Sequence, residues 1–103
     1  MGKRPEKISC IYAVHYDEDT RHISQVKARI NPASGTLEPL RVYTKSEILN
    51  QIDTGFYVVT MVKGGVDHVV GAEVMAYTIN GKRYLKTVAN DTEEDNLGEL
   101  PTF

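Results

Sequence analysis

The feature that most constrains this chain is the Asn80-Gly81 pair, which lies inside a stretch of alternating side chains from Val69 to Val88. β-Branched and aromatic residues on both sides of an Asn-Gly pair are the strongest short-range signal for a β-hairpin. Both central residues of a type I′ turn need a positive φ, and Asn and Gly adopt it at the lowest steric cost. The centre of the protein is therefore predicted to be antiparallel sheet.

A first hairpin is predicted near the N-terminus. Residues 8–16 alternate, which puts one set of side chains on a common, buried face: Ile8, Cys10, Tyr12, Val14 and Tyr16. Residues 22–30 alternate again, with Val26, Ala28 and Ile30 on one face and Gln25, Lys27 and Arg29 on the other. The polar run 17–20 between them is typical of a turn.

A short helix is predicted to follow the first hairpin. Thr44 and Glu47 have the spacing of a capping box, in which each side chain bonds the other residue's backbone amide. Tyr43 and Ile48 are placed for a hydrophobic staple, and Gly55 is a favourable residue just beyond the helix end. A helix of about ten residues is too short to be stable alone, so it must pack on the sheet.

Two further strands flank this helix. The segment 37–43 is predicted as a short strand, which Pro39 confines to a sheet edge because proline lacks a ladder donor. The segment 56–62 is apolar on both faces, which favours a central strand, and Lys63-Gly64-Gly65 turns the chain toward the Asn-Gly hairpin.

The predicted fold class is α+β, as one small domain over residues 8–103 preceded by a flexible N-terminus, 1–7. Its twisted, mostly antiparallel sheet has five to six strands with one short helix on a face, in the order β-β-(β)-α-β-β-β. Near the C-terminus, Leu97, Leu100 and Phe103 are predicted to dock on the domain. Strand order within the sheet stays open.

Composition restricts the class of protein further. The 103 residues carry a formal net charge of −2, but five acids and no base lie between Asp91 and Glu99, which leaves +3 on the rest. That excess is far below the usual basic excess of a nucleic-acid-binding protein. Apolar runs are too short to span a membrane, and a single cysteine without a signal peptide suggests the reducing cytoplasm.

Two separated motifs carry a resemblance to a known family. The first comprises His22, Ile23, Val26, Lys27, Asn31, Pro32, Ser34 and Gly35, and the second Tyr84, Leu85, Thr87, Asp95, Asn96, Leu97, Leu100, Pro101 and Phe103. In both, the chain resembles a small bacterial domain family of unknown function, over most of residues 8–103. The resemblance implies no activity, and the acidic insertion Thr92-Glu93-Glu94 departs from its pattern. Without the family, Asn31-Pro32 and Gly35 predict a turn, and Asp95 or Asn96 can accept from backbone amides at the entry of the tail.

Catalytic, metal and cofactor sites are not predicted. Cys10, the only thiol, lies on the predicted core face and is interpreted as inert. His15 and His22 would face each other across the first hairpin, near Asp17 and Asp19, but histidines beside a polar loop are more often solvated than metal-bound. The acidic loop has Asn96 where an EF-hand needs its glycine.

The candidate site is a nucleic-acid-binding surface on the last hairpin. Tyr77 and Tyr84 face each other across its two strands, and three cations accompany them: Lys82, Arg83 and Lys86. Aromatic rings beside cations on a sheet are how many modules hold single-stranded nucleic acid. The plainer interpretation is a cross-strand Tyr pair that covers the sheet while the lysines extend into solvent.

Three functions remain open at this point. The favoured one is a non-catalytic cytoplasmic binding or accessory module that acts through protein contacts, including self-association. The alternative is a single-stranded nucleic-acid accessory protein that uses the hairpin surface. The least favoured is a small enzyme with a pocket between the helix and the tail.

Overall fold

A computed structural model describes residues 7–17, 22–32, 39–64, 67–87, 95, 97 and 100–103. Within these residues it contains seven strands and one helix: β1 Lys7–Tyr16, β2 Ile23–Pro32, β3 Arg41–Thr44, α1 Lys45–Asp53, β4 Tyr57–Gly64, β5 Asp67–Glu73, β6 Met75–Ile79 and β7 Lys82–Lys86. The predicted α+β class is confirmed. Residues 1–6 of the expected flexible N-terminus lie outside the described residues, and Lys7 begins β1.

The strands form a five-stranded sheet in the order β3-β2-β1-β4-β5 and a separate two-stranded sheet of β6 and β7. Within the larger sheet β1 and β4 are parallel, and the other neighbouring strands are antiparallel. The predicted central position of the strand after the helix is confirmed, and so is the edge position of the strand before it. That edge strand is shorter than expected, because Pro39 and Leu40 precede it without pairing.

The run expected to form one strand before Asn80 is divided in two at Val74. Val74 is 2% exposed, and its amide donates to the carbonyl of Val58 at 2.7 Å. This anchor ends the pairing of β5 with β4, and the chain then enters the second sheet. There the predicted turn is confirmed, since Asn80 and Gly81 have φ values of 51° and 79°.

A β-bulge reverses which residues of β1 are buried. The pairing of β1 with β2 shifts between Ile11 and Ala13, so Tyr12 is an additional residue without a partner. Ile11 and Val14 are consequently both fully buried, although they are three residues apart. The expectation that Cys10 and Tyr12 share the core face with Val14 is wrong, because strict alternation holds only where the register is unbroken.

The helix begins and ends as predicted. The Thr44 hydroxyl accepts from the Glu47 amide at 3.1 Å, and the Glu47 carboxylate accepts from the Thr44 amide at 2.9 Å. Gly55 follows the C-cap with a φ of 98°. Ile48 is fully buried against the sheet, which supplies the stability that so short a helix lacks.

Replacing Thr44 by Ala is expected to lower the free energy of unfolding by about 1 kcal/mol, because the Glu47 amide loses its acceptor. Thr78→Ala, at an exposed position of β6, is the matched control and should change stability by less than about 0.5 kcal/mol. Urea denaturation measures both. Equal midpoints for the two variants would show that the cap contributes nothing.

The C-terminal segment docks beside β1. β4 pairs with β1 only as far as Ile11, and beyond that point the Val14 amide donates to the Pro101 carbonyl at 2.9 Å. The Phe103 amide donates to the Val14 carbonyl at 3.0 Å. Leu97 and Leu100 are buried in the core as predicted, whereas Phe103 is 37% exposed and lies outside it. No helix among the described residues is long and apolar enough to cross a membrane.

Candidate functional site on the open sheet face

Within the described part of the chain, the core packs against one face of the five-stranded sheet, and the opposite face carries several partly exposed side chains. The core, which includes Ile48 of the helix, packs against the face that carries Ile11, Val26 and Val58. Side chains alternate along each strand, so the residues next in sequence to these core-facing residues lie on the opposite side of the sheet. We call that opposite side the open face and define it by Tyr12, Lys27, Arg29, Met61 and His68.

A concavity of about 680 Å³ lies on the open face, lined by Tyr12, Arg29, Leu40, Met61 and His68. The Tyr12 and His68 rings meet edge to face, with centroids 5.0 Å apart and an interplanar angle of 83°. The guanidinium carbon of Arg29 lies 5.8 Å from the centroid of the Tyr12 ring. The concavity therefore combines two rings, a cation and two apolar side chains. Its volume is in the range of small-molecule sites.

A second cation and a second ring lie farther along the open face. The Lys27 ammonium lies 4.8 Å from the centroid of the Phe103 ring. The ring of His15 lies 5.5 Å from the same ring, and its Nδ1 is hydrogen-bonded to the Phe103 carbonyl. The docked tail thus completes a surface that no strand pattern could indicate, because Phe103 lies outside every strand.

Cys10 pairs with Arg29 in the register of β1 and β2, next to the concavity. Burial raises the pKa of the Cys10 thiol. A raised pKa keeps the sulfur protonated at neutral pH, and the thiolate is the reactive form. The side chain is therefore a poor nucleophile, although it lies on the open face and not in the core.

The predicted pair of histidines does not form. A second register shift puts His15 opposite Gln25 and Tyr16 opposite Ile23, so His22 is not the partner of His15. The expected face-to-face arrangement is wrong for the same reason as the expected burial of Tyr12. Among the residues that the structure describes, no group of three or more His, Cys, Asp or Glu could hold a metal ion, and Asp19 lies outside those residues.

The five residues predicted to bind nucleic acid do not form one exposed surface. Tyr77 and Tyr84 do pair across the hairpin, but Tyr84 is 3% exposed and Lys86 only 1%. Lys82 is exposed, whereas the exposed Arg83 forms a bidentate ion pair with Asp53, with distances of 2.9 and 2.7 Å. This pair lowers the pKa of Asp53 and raises that of Arg83. Tyr84 and Lys86 are thus covered, which corrects their expected exposure, whereas Lys82 and Arg83 are exposed and Tyr77 is half-buried.

A buried carboxylate, Asp95, lies near the covered end of the hairpin. Asp95 accepts from the amides of Ile23 and Leu85 at 2.8 Å each and from the Lys45 ammonium at 3.0 Å. Its side chain is fully buried, and Nδ1 of His22 lies 3.6 Å from it. The predicted acceptor role at the entry of the tail is confirmed for Asp95, while Asn96 lies outside the described residues. The Lys45 ammonium and the His22 ring near this carboxylate also lie against Tyr84, at 5.2 and 5.5 Å from its ring centroid.

The geometry defines a small α+β domain with an open aromatic and cationic sheet face. The chain belongs to the DUF3892 family, described as a protein of unknown function, which matches residues 7–101. The resemblance inferred from the two motifs is thereby confirmed. No curated protein and no solved structure matches the chain.

Proposed function

We propose that the protein is a non-catalytic binding or accessory module of the bacterial cytoplasm that acts by adding a strand of another protein chain to the edge strand β5. The observation that carries this proposal is the exposure of Val69 and Val70 on that edge, at 48% and 62%. A free edge presents a row of amides and carbonyls to which an extended segment can pair.

The two edges of the large sheet differ in what they offer a partner. β3 has four residues and follows Pro39, whereas β5 has seven residues and contains no proline. Exposed valines on both faces of β5 favour β-structure and give a partner strand apolar area to cover. β5 is therefore the better template.

A bulge limits how far such pairing could extend. The register of β4 and β5 shifts between Val59 and Met61, where the Ala72 amide donates to the hydroxyl of Thr60 at 3.0 Å. A Cβ added at Gly71 would lie 2.6 Å from that hydroxyl oxygen, so the close approach requires glycine. Bulges bend an edge strand, which favours a short, closed contact over open-ended pairing.

Other parts of the molecule support a role without catalysis. The buried carboxylate of Asp95 has its oxygens occupied by three donors, and Asp53 is paired with Arg83. The pKa of Cys10 is raised, which makes it a weak nucleophile. A lone, half-buried cysteine also suits a reducing compartment.

Val70→Lys is expected to abolish self-association or the retention of a partner protein, because a charge on the apolar edge opposes strand addition. Val42→Lys is the matched control, since Val42 is 49% exposed on the opposite edge strand and should leave binding unchanged. Light scattering measures self-association, and affinity capture from host-cell extract compares the two variants. A wild-type protein that stays monomeric, together with identical capture by both variants, would contradict the proposal.

A further inference from the structure

We infer that the open face binds a nucleotide unit, meaning a flat base that carries a phosphate, either as a free nucleotide or within a single strand. This site borders β5, because His68 of that strand lines the concavity, but it lies on the face of the sheet and does not rest on the protein contact proposed above. It also differs from the hairpin surface that the sequence predicted.

Two cation–aromatic pairs carry the inference. Arg29 lies over the Tyr12 ring and Lys27 lies over the Phe103 ring, at 5.8 and 4.8 Å from the centroids. Lys27 and Arg29 occupy alternate positions of β2, so their side chains leave the same face about 7 Å apart. Single-stranded nucleic acid is held by this combination, in which rings stack on bases while cations neutralise the phosphates.

Among the described residues, the Lys27 and Arg29 side chains of the open face form no ion pair with a carboxylate. Arg83, by contrast, is bound to Asp53 and Lys45 to Asp95. The exposed acid Glu73 is aligned with Arg29 but lies three strands away, about 14 Å at the usual strand spacing. A phosphate at Arg29 would therefore not compete with a protein carboxylate.

The concavity supplies room for the base. Its volume of about 680 Å³ exceeds what one ring needs, and Leu40 and Met61 provide apolar walls beside the Tyr12 ring. Leu40 is 42% exposed, so the site is open at that side and can admit a strand that continues beyond it. Thioether and aliphatic side chains adapt to flat ligands of different shape, which suits stacking that does not depend on base identity.

The test uses the full chain with two probes: a fluorescently labelled 12-residue oligothymidylate, followed by anisotropy, and AMP, followed by calorimetry. Arg29→Gln and Tyr12→Ala are each expected to weaken binding about tenfold, as loss of one stacking or phosphate contact predicts. Lys27→Gln should reduce by about 1 the slope of the logarithm of the oligothymidylate binding constant plotted against the logarithm of the salt concentration. Arg83→Gln, on the hairpin, is the matched control and should leave binding unchanged.

The outcomes separate the two sources of the ligand. Tighter binding of the oligothymidylate than of AMP indicates a single strand, and equal affinities indicate a free nucleotide. The inference is overturned if the folded wild-type protein binds neither probe, or if Arg83→Gln weakens binding as much as Arg29→Gln does. Circular dichroism of each variant verifies folding, so a lost signal cannot come from unfolding.

Discussion

Replacing Asp95 by Ala is expected to lower the free energy of unfolding by about 3–5 kcal/mol, the usual cost of breaking a buried charge pair. The change leaves the Ile23 and Leu85 amides and the Lys45 ammonium without their acceptor. Those groups belong to β2, β7 and α1, so one carboxylate joins three elements to the tail. Urea denaturation followed by circular dichroism measures the effect.

Two comparisons make the Asp95 result specific. Asp53→Ala removes an exposed carboxylate that is also paired with a cation, and it should shift the midpoint only slightly. Asp95→Asn keeps one acceptor oxygen but presents an NH₂ group to the remaining donors. Its loss of unfolding free energy should therefore lie between those of Asp53→Ala and Asp95→Ala. Similar midpoints for Asp95→Ala and Asp53→Ala would show that the buried cluster does not stabilise the fold.

Replacing Ile11 by Ala is expected to lower the free energy of unfolding by about 2–5 kcal/mol, because the change leaves a cavity at a fully buried position of β1. Tyr12→Ala should cost clearly less, although tyrosine is the larger side chain. Tyr12 is the bulged residue, and its ring lies on the open face against His68 and Arg29. Thermal and urea unfolding of the two variants give the comparison.

This pair of variants tests the bulge directly. Unbroken alternation would bury Tyr12 with Val14 and expose Ile11, so it predicts the reverse order of stability loss. Cys10→Ala adds a third measurement, since the thiol is only half-buried and its truncation removes little buried area. A larger loss for Tyr12→Ala than for Ile11→Ala would contradict the register described above.

Signals that act within a few residues could be predicted from the sequence. The capping box joins Thr44 to Glu47, three residues apart, and the Asn80-Gly81 turn depends on the φ preferences of those two residues alone. The edge position of β3 could also be predicted, because Pro39 acts on its own neighbourhood. Each of these interactions involves only residues that are close together in the sequence.

The candidate site depends on strand registers and on contacts between residues far apart in the chain, which local sequence patterns do not predict. The nucleic-acid prediction chose Tyr84 and Lys86 from alternation in the hairpin. It had no means to detect that both are buried or that Lys45 of the helix lies over the Tyr84 ring. Lys27 and Arg29 were predicted to share a face. Their aromatic partners Tyr12 and Phe103 became visible only through the bulge and the docked tail.

The sequence by itself determined the α+β class, the limits of the helix and the tight turn of the last hairpin. Only the tertiary structure decided which face of β1 is buried, where the long run divides at Val74, and which rings meet which cations. The physical reason is the range of the interactions. Caps and turns are satisfied by neighbours in sequence, whereas a register shift or a buried carboxylate is fixed by groups on elements far apart in the chain.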